Sequence, residues 1–117
     1  KQQWSYILKG TNSEQSTVTA WTPAGDLLVG GYTDSSLEDQ LHSGKEDVFL
    51  AKFDSAGVLL WLRQFGTPEN ERPLALAIGK AGQIYVTGYT EGQMDGAKYN
   101  GGRDIFLVQF NSDGEKH

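Results

Sequence analysis

Apolar positions in this chain fall in short runs, each closed by a turn signal, and none keeps a helical period. Runs of this length, rich in aromatic and β-branched residues, predict strands. The expected strands are Thr17–Trp21, Leu27–Tyr32, Val48–Phe53 and Val58–Phe65, then Leu74–Ile78, Ile84–Tyr89 and Ile105–Phe110. An N-terminal run, Gln2–Leu8, matches the Val58–Phe65 type. Pro23-Ala24-Gly25-Asp26 and Lys80-Ala81-Gly82-Gln83 join the first and second runs of each set, and Asp54-Ser55-Ala56-Gly57 and Asn111-Ser112-Asp113-Gly114 follow the third. These connections are hairpin-length: Gly supplies a positive φ, and Asp or Asn bonds its own backbone. Two longer connections, 33–46 and 90–103, separate the second and third runs. A helical turn at most is expected, at Leu37–Leu41.

The pattern also describes the faces. Along Val48–Phe53, the residues Phe49, Ala51 and Phe53 share one face while Val48 and Leu50 point the other way. A sheet with one wet face would alternate apolar with polar, so apolar residues on both faces imply a sheet held between two other layers.

Shifting the sequence by 57 residues lays the second set of runs on the first. Positions 4–60 and 61–117 pair without a gap and agree at 16 of 57 places. Trp4 falls on Trp61, Gly31-Tyr32-Thr33 on Gly88-Tyr89-Thr90, Asp47 on Asp104, Phe49 on Phe106 and Phe53 on Phe110. A period of this size marks a repeat architecture, whose units bury their faces only against neighbours. A four-stranded antiparallel meander packed between copies of itself is a β-propeller blade. The expected fold is therefore all-β: two four-stranded antiparallel β-propeller blades, completed into a ring by oligomerisation or by further blades of a longer protein. Residues 1–9 form a strand able to complete an outer blade edge. Residues 10–66 form blade one, and residues 67–117 form blade two with an incomplete outer strand. A sandwich-like packing is the alternative.

Charge narrows the partners. The net charge is −5, and no basic patch is visible, so nucleic acid is not an expected partner. The first half carries most of it: residues 1–60 hold four Lys against eight Asp or Glu, and residues 61–117 hold six Lys or Arg against seven. There is no cysteine, which removes disulfides and thiolate metal sites. No apolar run approaches the ~20 residues of a membrane helix, so membrane insertion is not expected.

Candidate chemistry is sparse. His42 lies in an acidic loop with Glu38 and Asp39, where a metal site competes with an ordinary solvated loop. Asn111–Glu115 has part of the look of a calcium loop, but the remaining ligands are missing and an Asx turn explains it. Asp47 and Asp104 precede the third strand in both repeats, a position that suits turn bonding better than acid–base work. No nucleophile setting, phosphate loop or dinucleotide fingerprint is present, so no metal, no cofactor and no enzymatic activity are expected. The repeated aromatics Trp4, Trp61, Tyr32, Tyr89, Phe49, Phe106, Phe53 and Phe110 are expected to pack blade on blade. Trp21, opposite Ile78 in the repeat, is expected in the core.

Three segments of the second repeat carry a family resemblance: WLRQFG at 61–66, AGQIYVTGYT at 81–90 and GGRDIFLVQFNSDG at 101–114. Together they resemble the SBBP family of β-propeller repeats, over nearly the whole chain. The first repeat departs from the pattern at Lys9-Gly10 and at Gly44-Lys45-Glu46-Asp47. The resemblance implies a propeller fold and a secreted or cell-surface setting, and it transfers no catalytic residue.

These observations lead to a non-catalytic binding or scaffold module. Residues 1–3 and 115–117 both map onto the start of the fourth strand, so head-to-tail strand donation between copies would close six blades as a trimer or eight as a tetramer. The alternative is a piece of a larger propeller protein with a purely structural role. A propeller hydrolase, using Asp47 and Asp104, is a third. The two long connections must share one rim, the expected surface for a protein or glycan ligand, with Tyr99, Asn100, Arg103, His42 and Asp39 as candidate contacts.

Overall fold

The structure is a computed structural model and describes residues 5–7, 13–37, 45–92 and 103–116. Seven strands fill most of them: β1 (Glu14–Trp21), β2 (Leu27–Thr33), β3 (Asp47–Phe53), β4 (Leu59–Phe65), β5 (Glu71–Ile78), β6 (Ile84–Thr90) and β7 (Asp104–Phe110). They form two sheets, ordered β1-β2-β3-β4 and β5-β6-β7, with every neighbouring pair antiparallel. No helix occurs among the described residues. The all-β class and the meander order follow the hydrophobic pattern.

The second sheet has three strands among the described residues, with the outer fourth strand incomplete. Its missing edge is marked by a single antiparallel bridge, Phe110 to Lys116. That bridge is the 57-residue counterpart of the Phe53–Leu59 pair, where β4 begins to pair with β3. At the other end of the chain, Ser5–Ile7 adopt no regular structure. The Tyr6 ring instead stands edge-on to Phe53, with centroids 5.0 Å apart.

The hairpins repeat in detail. Asp54 Oδ1 accepts the Ala56 and Val58 N–H groups at 2.9 and 3.0 Å, and Asn111 Oδ1 accepts those of Asp113 and Glu115 at 2.9 Å each. These are Asx turns, as the sequence suggested. Gly114 closes its turn at φ 82°, and a Cβ there would come within 2.7 Å of the Trp61 ring. Both the left-handed backbone and the close approach require glycine.

Strands β1 and β5 begin three residues earlier than the apolar runs predict. A bulge accounts for this: pairing with the next strand skips Thr17 between Ser16 and Val18, and Leu74 between Pro73 and Ala75. One extra residue shifts the in/out alternation, which hides the first part of the strand from a period-2 search. Pro73 is tolerated because β5 is an edge strand.

The two sheets pack face to face. Leu28, Val48 and Leu50 of the first sheet meet Ile84, Val86, Phe106, Val108 and Phe110 of the second in one buried cluster. A second cluster, Leu37, Phe49, Ala51, Phe53 and Leu62, lies on the opposite face of the first sheet. Strand β3 is therefore buried along its whole length, whereas β7 is buried on one face only. On the outer face of β7, Ile105 is 85% exposed and Leu107 is 70% exposed, although their counterparts Val48 and Leu50 are 0% exposed. The expectation of a core Trp21 is overturned: this side chain is 65% exposed. It ends an edge strand, where no neighbouring strand covers it.

Candidate binding site

Edge strands β1 and β5 run side by side, joined where the Thr17 hydroxyl donates to the Pro73 carbonyl at 3.2 Å. Between their bulged ends lies an open groove of about 500 Å3, lined by Gln15, Thr17, Tyr32, Arg72, Pro73, Leu74, Tyr89 and Arg103. Arg72 lies over the Tyr32 ring, 4.2 Å from its centroid, and Arg103 lies over Tyr89 at 4.4 Å. Each guanidinium is stacked on one tyrosine, a contact worth about 0.5–1 kcal/mol at exposed sites.

Carboxylates hold both arginines. Arg72 donates Nε to Glu46 Oε1 at 3.1 Å and Nη2 to Glu46 Oε2 at 3.3 Å. That fork pushes the Arg72 guanidinium above its ordinary pKa and keeps it charged. Arg103 donates Nε to Glu91 at 3.4 Å. Glu91 also accepts from the Asn70 side chain at 3.0 Å, and these contacts, Asn70 foremost, hold its carboxyl below the usual range. The Tyr32 hydroxyl donates to Gln15 Oε1.

Below the groove each sheet repeats a carboxylate–threonine latch. Glu14 Oε2 accepts the Thr33 and Ser35 hydroxyls at 3.3 and 3.1 Å. In the second sheet Glu71 accepts the Thr67 N–H at 2.8 Å, the Thr67 hydroxyl, and the Thr90 hydroxyl at 3.0 Å. Glu71 is fully buried, and so is Asp47 from the first sheet. Both reach toward Gly66, where a Cβ would lie 2.4 Å from Asp47 Oδ1 and 2.5 Å from Glu71 Oε1. Burial pushes the Glu71 carboxyl above its ordinary pKa and the Asp47 charge adds to this, while the threonine hydrogen bonds oppose it. Asp47 Oδ2 accepts from the Gln64 side chain at 3.2 Å.

Of the candidate contact residues, Arg103 lines the groove; Tyr99, Asn100, His42 and Asp39 lie outside the described residues, as does Trp4. Of the expected packing aromatics, Phe106 and Phe110 fill the space between the sheets, and Phe49 and Phe53 belong to the second cluster. Trp61 packs against the inter-sheet cluster and donates Nε1 to the Ser112 carbonyl at 3.1 Å. Tyr32 and Tyr89 line the groove beneath Arg72 and Arg103, Tyr32 meeting Arg72 from the other sheet. Sequence reasoning missed Arg72 and Glu71. The 57-residue offset held a signal for both, since Glu14 and Glu71 are identical, and Glu46 and Arg72 stand opposite Arg103 and Gln15.

A second cavity, about 280 Å3 and mainly apolar, opens on the outer face of the first sheet among Tyr6, Leu27, Val29, Phe49 and Phe53.

Compared with models of known protein families, the chain matches none. It is 36% identical over 92 residues to the regulatory protein FlaEY of Caulobacter vibrioides, a match covering 73% of this chain. The chain spans 9% of the length of that curated relative.

Proposed function

We propose that the chain is a non-catalytic β-propeller repeat module, a scaffold and binding element whose two sheets are consecutive blades. The observation that carries this is the equivalence of its faces. The Val48–Leu50 face of the first sheet is covered by the Phe106–Phe110 face of the second. Moved by 57 residues, the same contact would place Phe49, Ala51 and Phe53 of a further blade on Ile105 and Leu107. The second sheet presents its half of that contact exposed at Ile105 and Leu107, whereas the Phe49, Ala51 and Phe53 half is already buried within the chain, so a partner would displace what covers it. Such a contact is heterologous and propagates head to tail until a ring closes. Three copies would give six blades and four would give eight.

Large exposed apolar patches mark interaction surfaces, and Ile105, Leu107 and Leu74 are all exposed on the second sheet. The resemblance to SBBP repeats supports the same fold and a secreted or surface setting. The non-catalytic reading is supported by the two carboxylates a hydrolase would use: Asp47 is buried and accepts from Gln64, and Asp104 lies half-buried in the other sheet. A second reading, in which the neighbours are further blades of one long chain, is favoured by the relative of which this unit spans 9%.

Light scattering on this chain and on Ile105→Lys tests the proposal. The unmodified chain is expected to form a species of three or four copies, and Ile105→Lys a folded monomer. A folded monomer at all concentrations for the unmodified chain refutes self-assembly and leaves the long-chain reading.

A further inference from the structure

We propose that the groove between β1 and β5 binds a carboxylate-bearing sugar, the carboxylate held by Arg72 and Arg103. This deepens the binding role above and rests on that reading.

The groove is rich in donors and poor in acceptors. Among the described residues, two guanidiniums and no carboxylate line it. Arg103 commits only Nε to Glu91, and Arg72 commits Nε and Nη2 to Glu46. Each guanidinium has five N–H groups, so both keep donors for a ligand. The side chains are 65% and 40% exposed, so these donors are accessible. The Tyr32 hydroxyl spends its proton on Gln15 Oε1, which leaves the Gln15 amide N–H2 as a further donor. Thr17 spends its proton on the Pro73 carbonyl.

Both guanidiniums are oriented before any ligand arrives. Each is stacked on a tyrosine and tethered by a carboxylate at its Nε edge, so binding freezes few additional rotamers. Pre-organisation of this kind raises affinity by lowering the ordering cost. Forked guanidinium–carboxylate bonding is the expected recognition mode. The Glu46 and Glu91 charges offset much of the long-range field in a chain of net charge −5, so recognition is short-range and specific, not a general attraction to polyanions.

A compact sugar fits better than an extended peptide. Peptides join sheet edges by continuing the backbone ladder. Here both edges are interrupted by bulges at Thr17 and Leu74, and the Thr17–Pro73 bond already bridges them. Pro73 and Leu74 offer a small apolar wall for a sugar ring, while the tyrosine hydroxyls and Gln15 suit its hydroxyl groups.

The test is titration of the full chain, followed by amide NMR shifts, with trigalacturonate, neutral galactotriose and hexaglutamate. Trigalacturonate is expected to bind at least tenfold more tightly than either, with shifts centred on Tyr32, Arg72 and Tyr89. Arg103→Gln, with an unchanged melting curve, is expected to weaken it at least fivefold. Should Arg72→Gln fail to fold, the exposed Arg103 site still decides the matter. Absence of trigalacturonate binding, equal binding by galactotriose, or an Arg103→Gln variant binding as before overturns the proposal. Hexaglutamate binding as tightly as trigalacturonate overturns the sugar assignment in favour of an acidic peptide. Assembly is read separately by light scattering, so failure of the groove and failure of the ring are distinguishable.

Discussion

Leu50 and Leu107 occupy the same place in two copies of one repeat, yet one is 0% and the other 70% exposed. Truncating each to alanine therefore separates the chain's own packing from whatever covers its second sheet. Leu50→Ala removes a side chain from the cluster between the sheets, where the facing Phe106 and Phe110 leave little room to collapse. Its cost is expected at about 2–5 kcal/mol, the range for buried Leu→Ala changes. Leu107→Ala in a dilute, unassembled chain is a surface change, expected within about 0.5 kcal/mol of zero. In the head-to-tail assembly the two positions become alike, and Leu107→Ala loses the coupling of folding to association. The assay is urea unfolding at dilute and concentrated protein, followed by far-UV circular dichroism. The expected result is a Leu50→Ala penalty at every concentration and a Leu107→Ala penalty that appears only on concentration. A Leu107→Ala penalty that is small at both concentrations refutes the covered-face argument, and a Leu50→Ala penalty under about 1 kcal/mol refutes the packing assignment.

Glu71 gives a pH prediction. Its pKa is raised in the folded chain, so the native state binds more protons than the unfolded one above the ordinary carboxylate value. Stability from this group is present at low pH and is lost as pH rises from that value through the folded pKa. Glu71→Gln keeps the acceptor for the Thr67 N–H and removes the charge, so its melting temperature is expected to fall less than that of the unmodified chain between mildly acidic and neutral pH; parallel curves would refute this. Gly114→Ala adds a contact with Trp61 to a left-handed backbone, whereas Gly25 at φ 90° has open space around it. Gly25→Ala is expected to cost about 1–2 kcal/mol from backbone strain alone, and Gly114→Ala distinctly more, by thermal unfolding; equal costs would remove the Trp61 contact from the account. Phe110→Ala, which empties the space beside Phe65, is expected to cost about 3–5 kcal/mol, measured in the same way.

The strands were legible because aromatic and β-branched runs end at Gly-containing hairpins, and β2, β3, β6 and β7 extend at most one residue beyond those runs. The bulges in β1 and β5 were not legible, since an inserted residue breaks the alternation on which strand prediction depends. The burial of β3 on both faces was visible in its composition. For β7 the same composition predicts two covered faces, and among the described residues one is covered. The groove was only half visible. Arg103 stood out in a long connection, but Arg72 sits inside a strand, and its pairing with Glu46 and Tyr32 joins positions 26 and 40 residues away. No local pattern reports a contact between sheets. Trp21 misled because an aromatic in a strand suggests core, whereas it ends the edge strand β1 and is largely exposed.

Head-to-tail assembly requires that the outer face of the second sheet accept the outer face of a first sheet. Within the chain, Leu50 and Val86 share the inter-sheet cluster. Their 57-residue counterparts across a head-to-tail contact are Leu107 and Val29. The chain has no cysteine of its own, so Leu107→Cys and Val29→Cys chains can be mixed and oxidised without interference. The mixed 29–107 disulfide is expected to form well in excess of the 107–107 and 29–29 products. A statistical distribution of the three, or a dominant 107–107 product, would contradict it.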